Sequence, residues 1–266
     1  MTNHLIPLTA AAAADEEITV YVKGFLARGE SPESFDHWIA GHRGLVESLG
    51  WSRSAQGYHW ESGQLQKLAL PVAAGAKVVW DVYRLVRHAR RITPLATAGW
   101  FLAEQGAALS VRFVGQFIQA RRQASVRAED LARCLASLAT RHRRVRVVAH
   151  SLGCRQVIEA AAQLPNSRRP HEIHLLAPAC LEGEVRDKLP HLAREQSFVY
   201  FTHLDHVLDI SFRVMSLARA IGAAGLDAEY PGLRAFDVSE EFDFWVHTEY
   251  KNRFAYFAAP LGTPAA

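Results

Sequence analysis

The chain has 266 residues, of which 49% are hydrophobic and 21% charged. That is enough to bury the core of one large domain or of two small ones, and too apolar for a disordered polyelectrolyte. A net charge of +3 argues against a nucleic-acid protein built on a basic surface. The three cysteines, Cys134, Cys154 and Cys180, form neither a disulfide framework nor a zinc-ligand pattern.

Residues 1–17 contain the alanine run Ala10–Ala14 with no lysine or arginine before it, followed by Asp15, Glu16 and Glu17. A secretory signal has the opposite polarity, so the stretch is expected to be a short flexible leader on a cytoplasmic protein. The basic residues are mostly arginine, a composition that fits a GC-rich bacterial genome. Residues 18–266 are expected to form a single domain.

Within it, Ile18–Val22 is a β-branched run closed by Gly24 and predicts a buried strand. In Phe35–Leu49, the apolar residues Phe35, Trp38, Ile39, Leu45, Val46 and Leu49 recur at helical spacing, and Gly50 supplies the stop. Gly57–Trp60 predicts a weak strand. Ala128–Arg141 predicts a helix with Leu131, Leu135 and Leu138 on one face, followed by a strand at Arg146–Ala149 and a helix at Leu152–Leu164 that Pro165 ends. Glu172–Leu176 and Ser197–Phe201 predict strands, Val207–Ala220 a helix, and Leu233–Val238 a last strand. About six strands alternating with helices imply an α/β fold, a mostly parallel doubly wound sheet covered on both faces. Ligands of such sheets bind beyond the carboxyl ends of the strands.

Residues 64–127 interrupt the alternation and are expected to form a helical insertion. Ten basic and two acidic residues give it a charge of +8, which leaves −5 for the rest of the chain. Lys77–Arg91 sets Val79, Val82, Tyr83 and Val86 near one face and Arg84, Arg87 and Arg91 near another. Such a segment packs on the sheet as a helical hairpin, caps a site, or lies on an anionic membrane as a peripheral contact. Its longest charge-free run, Ile92–Ala103, is too short to span a bilayer.

The strongest local signal is Val147-Val148-Ala149-His150-Ser151-Leu152-Gly153. A strand, a small residue, a serine two positions on, a glycine two further and then a helix make the nucleophile-elbow pattern, with Ala149 where the first glycine usually stands. The serine of such a turn is strained, and small flanking residues relieve the crowding. It also opens a helix, where the dipole and the amide of Leu152 favour a developing oxyanion. The other reading of Ser151 is a helix-capping serine.

A nucleophilic serine needs a base, an orienting acid and a second oxyanion donor. Gly24 follows the first strand and lets the backbone turn its amides toward the site, which makes Phe25 the candidate second donor, with Leu26 next. Asp205 lies four residues beyond a strand and is favoured as the acid over Asp209, which falls in the following helix; either could instead cap that helix. Of thirteen histidines, His247 is the one that follows the last strand, in the aromatic stretch Phe242–Tyr250 ahead of a C-terminal helix.

With these residues in hand, the chain resembles the alpha/beta-hydrolase superfamily, whose triad runs in the order Ser151, Asp205, His247. The resemblance covers roughly 18–63 and 128–257. The insertion departs from it, since caps of that superfamily more commonly follow the strand after the nucleophile helix. Gly24-Phe25-Leu26 with Gly29-Glu30, then Trp38, and Asp205-His206-Val207-Leu208 are similar to a little-studied branch that includes eukaryotic proteins with membrane-associated helices near the same place. The four roles in this chain order lead to the expectation of a serine hydrolase that cleaves an ester or thioester through an acyl-enzyme on Ser151, with a small-molecule ester or acyl substrate and with Leu152 and Phe25 as the oxyanion hole. The alternative is a non-catalytic binding or scaffold protein of the same fold that meets membranes through the insertion. No glycine pattern cradles a phosphate and no His/Cys spacing suits a metal, so no cofactor is expected. Cys154, one helical turn past Ser151, reads as a small buried residue.

Overall fold

The computed structural model describes residues 5–9, 16–25, 35–60, 107–205, 207–209, 212, 218–242 and 246–262. Numbering the described elements in chain order, the strands are β1 (Leu5–Pro7), β2 (Glu17–Val22), β3 (Ala55–Tyr58), β4 (Arg144–His150), β5 (Glu172–Leu176), β6 (Gln196–Phe201) and β7 (Leu233–Asp237). The helices are α1 (Asp36–Leu49), α2 (Ala107–Val126), α3 (Ala128–Arg141), α4 (Leu152–Ala162), α5 (Glu182–Val185), α6 (Ile221–Ala224) and α7 (Val246–Gly262).

The seven strands form one sheet in the order β1-β3-β2-β4-β5-β6-β7. All neighbours are parallel except β1, which runs antiparallel to β3. The fold is therefore the expected mostly parallel α/β type, with one strand more than the six read from the sequence. The extra strand falls in the stretch expected to be a flexible leader: Leu5 pairs with Tyr58 and Pro7 with Gln56. Three residues are too few to show an alternation, and a proline is tolerated at this edge position, so β1 left no periodic signal. Gly50 ends α1 as predicted, in the left-handed region at φ 66°, with its N–H donating to the Leu45 carbonyl.

Strand order decides where a site can lie. From β2 the chain moves outward to β3, returns past β2 to β4, and continues the other way through β5, β6 and β7. The order reverses between β2 and β4, and the crevice beyond their carboxyl ends is the natural ligand position. The residues leaving those ends are Lys23-Gly24-Phe25 and Ser151-Leu152-Gly153.

On one face of the sheet, Tyr21 of β2, His150 of β4 and His174 and Tyr200 of β5 and β6 meet α1 and α7 through Trp38, His42, Tyr250 and Phe254. Alternation sends Val20, Val22, Val147, Ala149, Ile173 and Leu175 to the opposite face, and all are buried. There α4 packs against α2 and α3. The central strands are thus apolar on both faces, as a doubly covered parallel sheet requires. Their amino ends are charged instead: buried Arg146 joins Glu17 of β2 and Glu172 of β5, and its guanidinium lies 4.7 Å from the Trp51 ring centre.

Of the insertion read at 64–127, residues 64–106 lie outside the described residues, Arg84, Arg87, Arg90 and Arg91 among them. Its last part is α2. Among the described residues, no helix is long and apolar enough to cross a membrane.

Candidate active site

Ser151 sits between the last residue of β4 and the first of α4 with φ 56° and ψ −123°. A non-glycine residue rarely adopts that conformation. The surrounding backbone holds it: the Ser151 N–H donates to the Leu176 carbonyl at 3.0 Å, and its carbonyl accepts from Cys154 at 3.0 Å and Ala179 at 3.1 Å. The side chain is thereby presented at the crevice end of β4, at the N-terminus of α4, whose first amides have no intrahelical acceptor. Leu152 supplies the first of them.

Two glycines permit this turn. A Cβ on Gly153 would lie 2.6 Å from the Val22 carbonyl oxygen and 2.7 Å from that of Lys23, so only glycine lets α4 approach the end of β2. A Cβ on Gly24 would lie 2.7 Å from the Ser151 Cβ and 3.3 Å from its Oγ, so the backbone before Phe25 touches the serine itself. Ala149, the departure from the usual pattern, is fully buried in register with Val22 and Leu175, and a methyl group is accommodated there.

The loop after β2 is held from two sides. Trp60 Nε1–H donates to the Lys23 carbonyl at 2.8 Å. The Lys23 ammonium lies 3.9 Å from the Phe35 ring centre, and burial, with Lys251 nearby, pushes its pKa down to about 8. The Phe25 ring meets Phe117 of α2 edge-on at 5.4 Å, and Phe117 meets Phe212 at 5.9 Å. The described end of the insertion therefore touches the loop that carries the candidate oxyanion donor. Leu26 lies outside the described residues.

Asp205, with 0% of its surface exposed, uses its two carboxylate oxygens differently. Oδ1 accepts from the Leu208 N–H at 3.0 Å, which caps the turn that follows, and Oδ2 accepts from His247 Nδ1 at 2.7 Å. Capping residue and acid partner of a histidine are both true of it, one on each oxygen. Asp209 instead accepts from Arg219 Nε at 3.1 Å. A carboxylate can only accept, so Nδ1 of His247 carries the hydrogen and Nε2 is left as a basic lone pair.

His247 lies in the first turn of α7 rather than in a loop ahead of it. The helix starts at Val246, inside the aromatic stretch, because Val246, Tyr250, Phe254 and Phe257 are the face it buries. His150 Nε2 bonds the His247 carbonyl at 2.8 Å, and the two ring centres are 4.8 Å apart. Trp60 and His150 were not singled out from the sequence. Each acts on a partner 37 or 97 residues away, and no local pattern marks such a bond. Cys154 is buried with its thiol bonded to the Leu176 carbonyl, and burial, with Cys180 beside it, raises its pKa well above the ordinary value. It is a packed thiol and not a competing nucleophile.

A serine hydrolase family model matches residues 111–211, the stretch that holds β4, Ser151, α4, β5, β6 and Asp205 and stops short of His247. The chain is thus similar to serine hydrolases of the alpha/beta-hydrolase type, and the match supports serine hydrolase activity in general. No curated protein matches. Among solved structures, an uncharacterised protein from Capnocytophaga ochracea is similar at 10% identity with a TM-score of 0.42. The match covers 98% of this chain and 61% of that one, so the chain spans about three fifths of its length.

Proposed function

We propose that the protein cleaves an ester or thioester of a small molecule through an acyl-enzyme on Ser151. The observation that carries this reading is the 2.7 Å bond from His247 Nδ1 to buried Asp205, in a chain whose strained Ser151 directly follows His150, the residue bonded to the His247 carbonyl. In the reaction, His247 Nε2 takes the Oγ proton as the oxygen attacks the substrate carbonyl. The amides of Leu152 and Phe25 receive the negative charge of the tetrahedral intermediate. The imidazolium, stabilised by Asp205, then protonates the leaving group, and water enters by the same route in reverse to release the acid.

A fluorophosphonate probe should label the protein, and Ser151→Ala should abolish the labelling. Persistent labelling of that variant would remove Ser151 from the role. A panel of p-nitrophenyl esters of graded chain length then reports the size of the acyl pocket. A protein that neither takes the probe nor turns over any ester of the panel would instead be a binding module of this fold, since fold alone does not establish activity.

A further inference from the structure

We infer that His150 is a positioning residue for His247: its ring ties the backbone of the candidate base to the strand that carries the candidate nucleophile. The inference rests on the reading of Ser151, Asp205 and His247 given above.

His150 is the last residue of β4, paired with Leu176 of β5, so its backbone belongs to the sheet. Its side chain lies on the face covered by α1 and α7, among Trp38, Tyr250 and His247. The bond partner at 2.8 Å is a main-chain carbonyl, which can only accept. Nε2 therefore carries the hydrogen and donates. The bond links positions 97 residues apart, and its two ends are the residue preceding Ser151 and the base itself.

Asp205 alone under-determines the base. A ring held only at Nδ1 can still swing about that bond and about its own side-chain torsions, and His247 stands in the first turn of a helix, where the backbone is least constrained. Fixing its carbonyl removes the backbone's share of that freedom. Nε2 of His247 is then placed by two bonds that originate on different strands' exits, one after β6 and one at the end of β4. An error of about 1 Å in such a placement can cost about a hundredfold in rate.

The chemistry of the donor also suits the position. The group lies 4.8 Å, ring centre to ring centre, from an imidazole that must become cationic during turnover. A lysine or arginine there would oppose that charge. His150 is enclosed, and burial, with His247 and Lys251 beside it, holds its pKa well below the ordinary value. It donates a hydrogen bond without carrying charge.

The test compares His150→Gln, which keeps an N–H donor at about the same reach, with His150→Phe, which keeps the ring and loses the donor. The readout is fluorophosphonate labelling as a function of probe concentration, which separates the limiting rate from probe affinity, with thermal melting alongside. His150→Phe should lower the limiting rate by about a hundredfold with little change in probe affinity, and His150→Gln should recover at least tenfold of that loss. Equal rates for wild type and His150→Phe would overturn the inference, as would two variants that fall equally. Should His150→Phe fail to melt cooperatively, the wild-type protein carrying 15N-histidine decides: NMR should show His150 neutral and protonated at Nε2 across pH 6 to 8, and the Nδ1–H tautomer would sink the idea. A wild type that takes no label at Ser151 sinks the reading of the site and this inference together; labelling at Ser151 with a fast His150→Phe variant sinks the inference alone.

Discussion

Asp205 shows how two readings of one residue can coexist, and the division between its oxygens makes a prediction. In Asp205→Asn the side-chain oxygen can still accept from the Leu208 N–H, while the amide presents the wrong partner to His247. Turnover should fall about ten-thousand-fold, the loss known for this change in the best-studied serine proteases, with the melting temperature nearly unchanged. Asp205→Ala should lose both functions and cost about 1 kcal/mol more in stability for the missing cap. Asp209→Asn should leave ester hydrolysis within a few-fold of wild type, since its carboxylate holds Arg219. A reversal between Asp205 and Asp209 would move the acid by one turn. At this scale chain order is what points to Ser151, Asp205 and His247, each of which follows a strand in sequence, and of these the structure brings Asp205 and His247 into contact. Residues that act by reaching across the sheet, such as His150 and Trp60, have no such order to reveal them.

Among elements, the fit of α4 against β2 is a demanding contact. Gly153→Ala would drive a methyl group against two main-chain carbonyls, and the carbonyls cannot rotate away as a side chain could. Overpacking of this kind costs about 1–3 kcal/mol, and urea denaturation should register it, with esterase activity falling further because the turn at Ser151 shifts too. An undiminished midpoint would mean that α4 slides freely. Strong periodicity made α1, α3, α4, β5 and β7 readable within a residue or two of their bounds. The weak strand read at Gly57–Trp60 proved to be Ala55–Tyr58, shifted because Trp60 is turned by its bond to the Lys23 carbonyl rather than paired in the sheet. β1 and the start of α7 escaped for a common reason: each is specified by what it packs against, not by its own alternation.

For the whole molecule, the buried histidines make stability depend on acid. His174 lies enclosed between Phe198, Tyr200, Trp51 and Phe254, and burial brings its pKa down to about 4, against an opposing pull from Glu172. His42, bonded to Tyr21 at 2.8 Å, is likewise held low by burial. A histidine whose folded pKa lies below its unfolded value binds its proton only after unfolding. Stability should therefore fall as pH drops from about 6.5 toward 4, by up to about 3 kcal/mol for His174 alone. Denaturant titrations at pH 7.5, 6 and 5 should show the decline, and His174→Phe should flatten it; an unchanged slope would locate the acid sensitivity elsewhere. At the same scale, the +8 charge of residues 64–127 is proposed to draw the protein to anionic membranes. Co-sedimentation with anionic vesicles should fall steeply with salt and weaken when Arg84, Arg87, Arg90 and Arg91 become Gln, at about 1 kcal/mol per charge near the surface. A wild type left in the supernatant at low salt would exclude this.

The position of His247 on α7 has a consequence for biosynthesis. Translation delivers Ser151 long before it delivers the proposed base: a nascent chain that has reached residue 242 already holds the seven described strands and Asp205, but not the His247 imidazole. On the proposed mechanism the newly made chain is latent, and the step that arms it is the docking of one helix. That helix seats where Gly41 of α1 faces the Lys251 carbonyl so closely that a methyl group there would come within 2.9 Å of the oxygen. Crowding at Gly41, far along the chain from the nucleophile, would therefore delay the onset of activity in a freshly synthesised molecule without altering any group that touches the substrate.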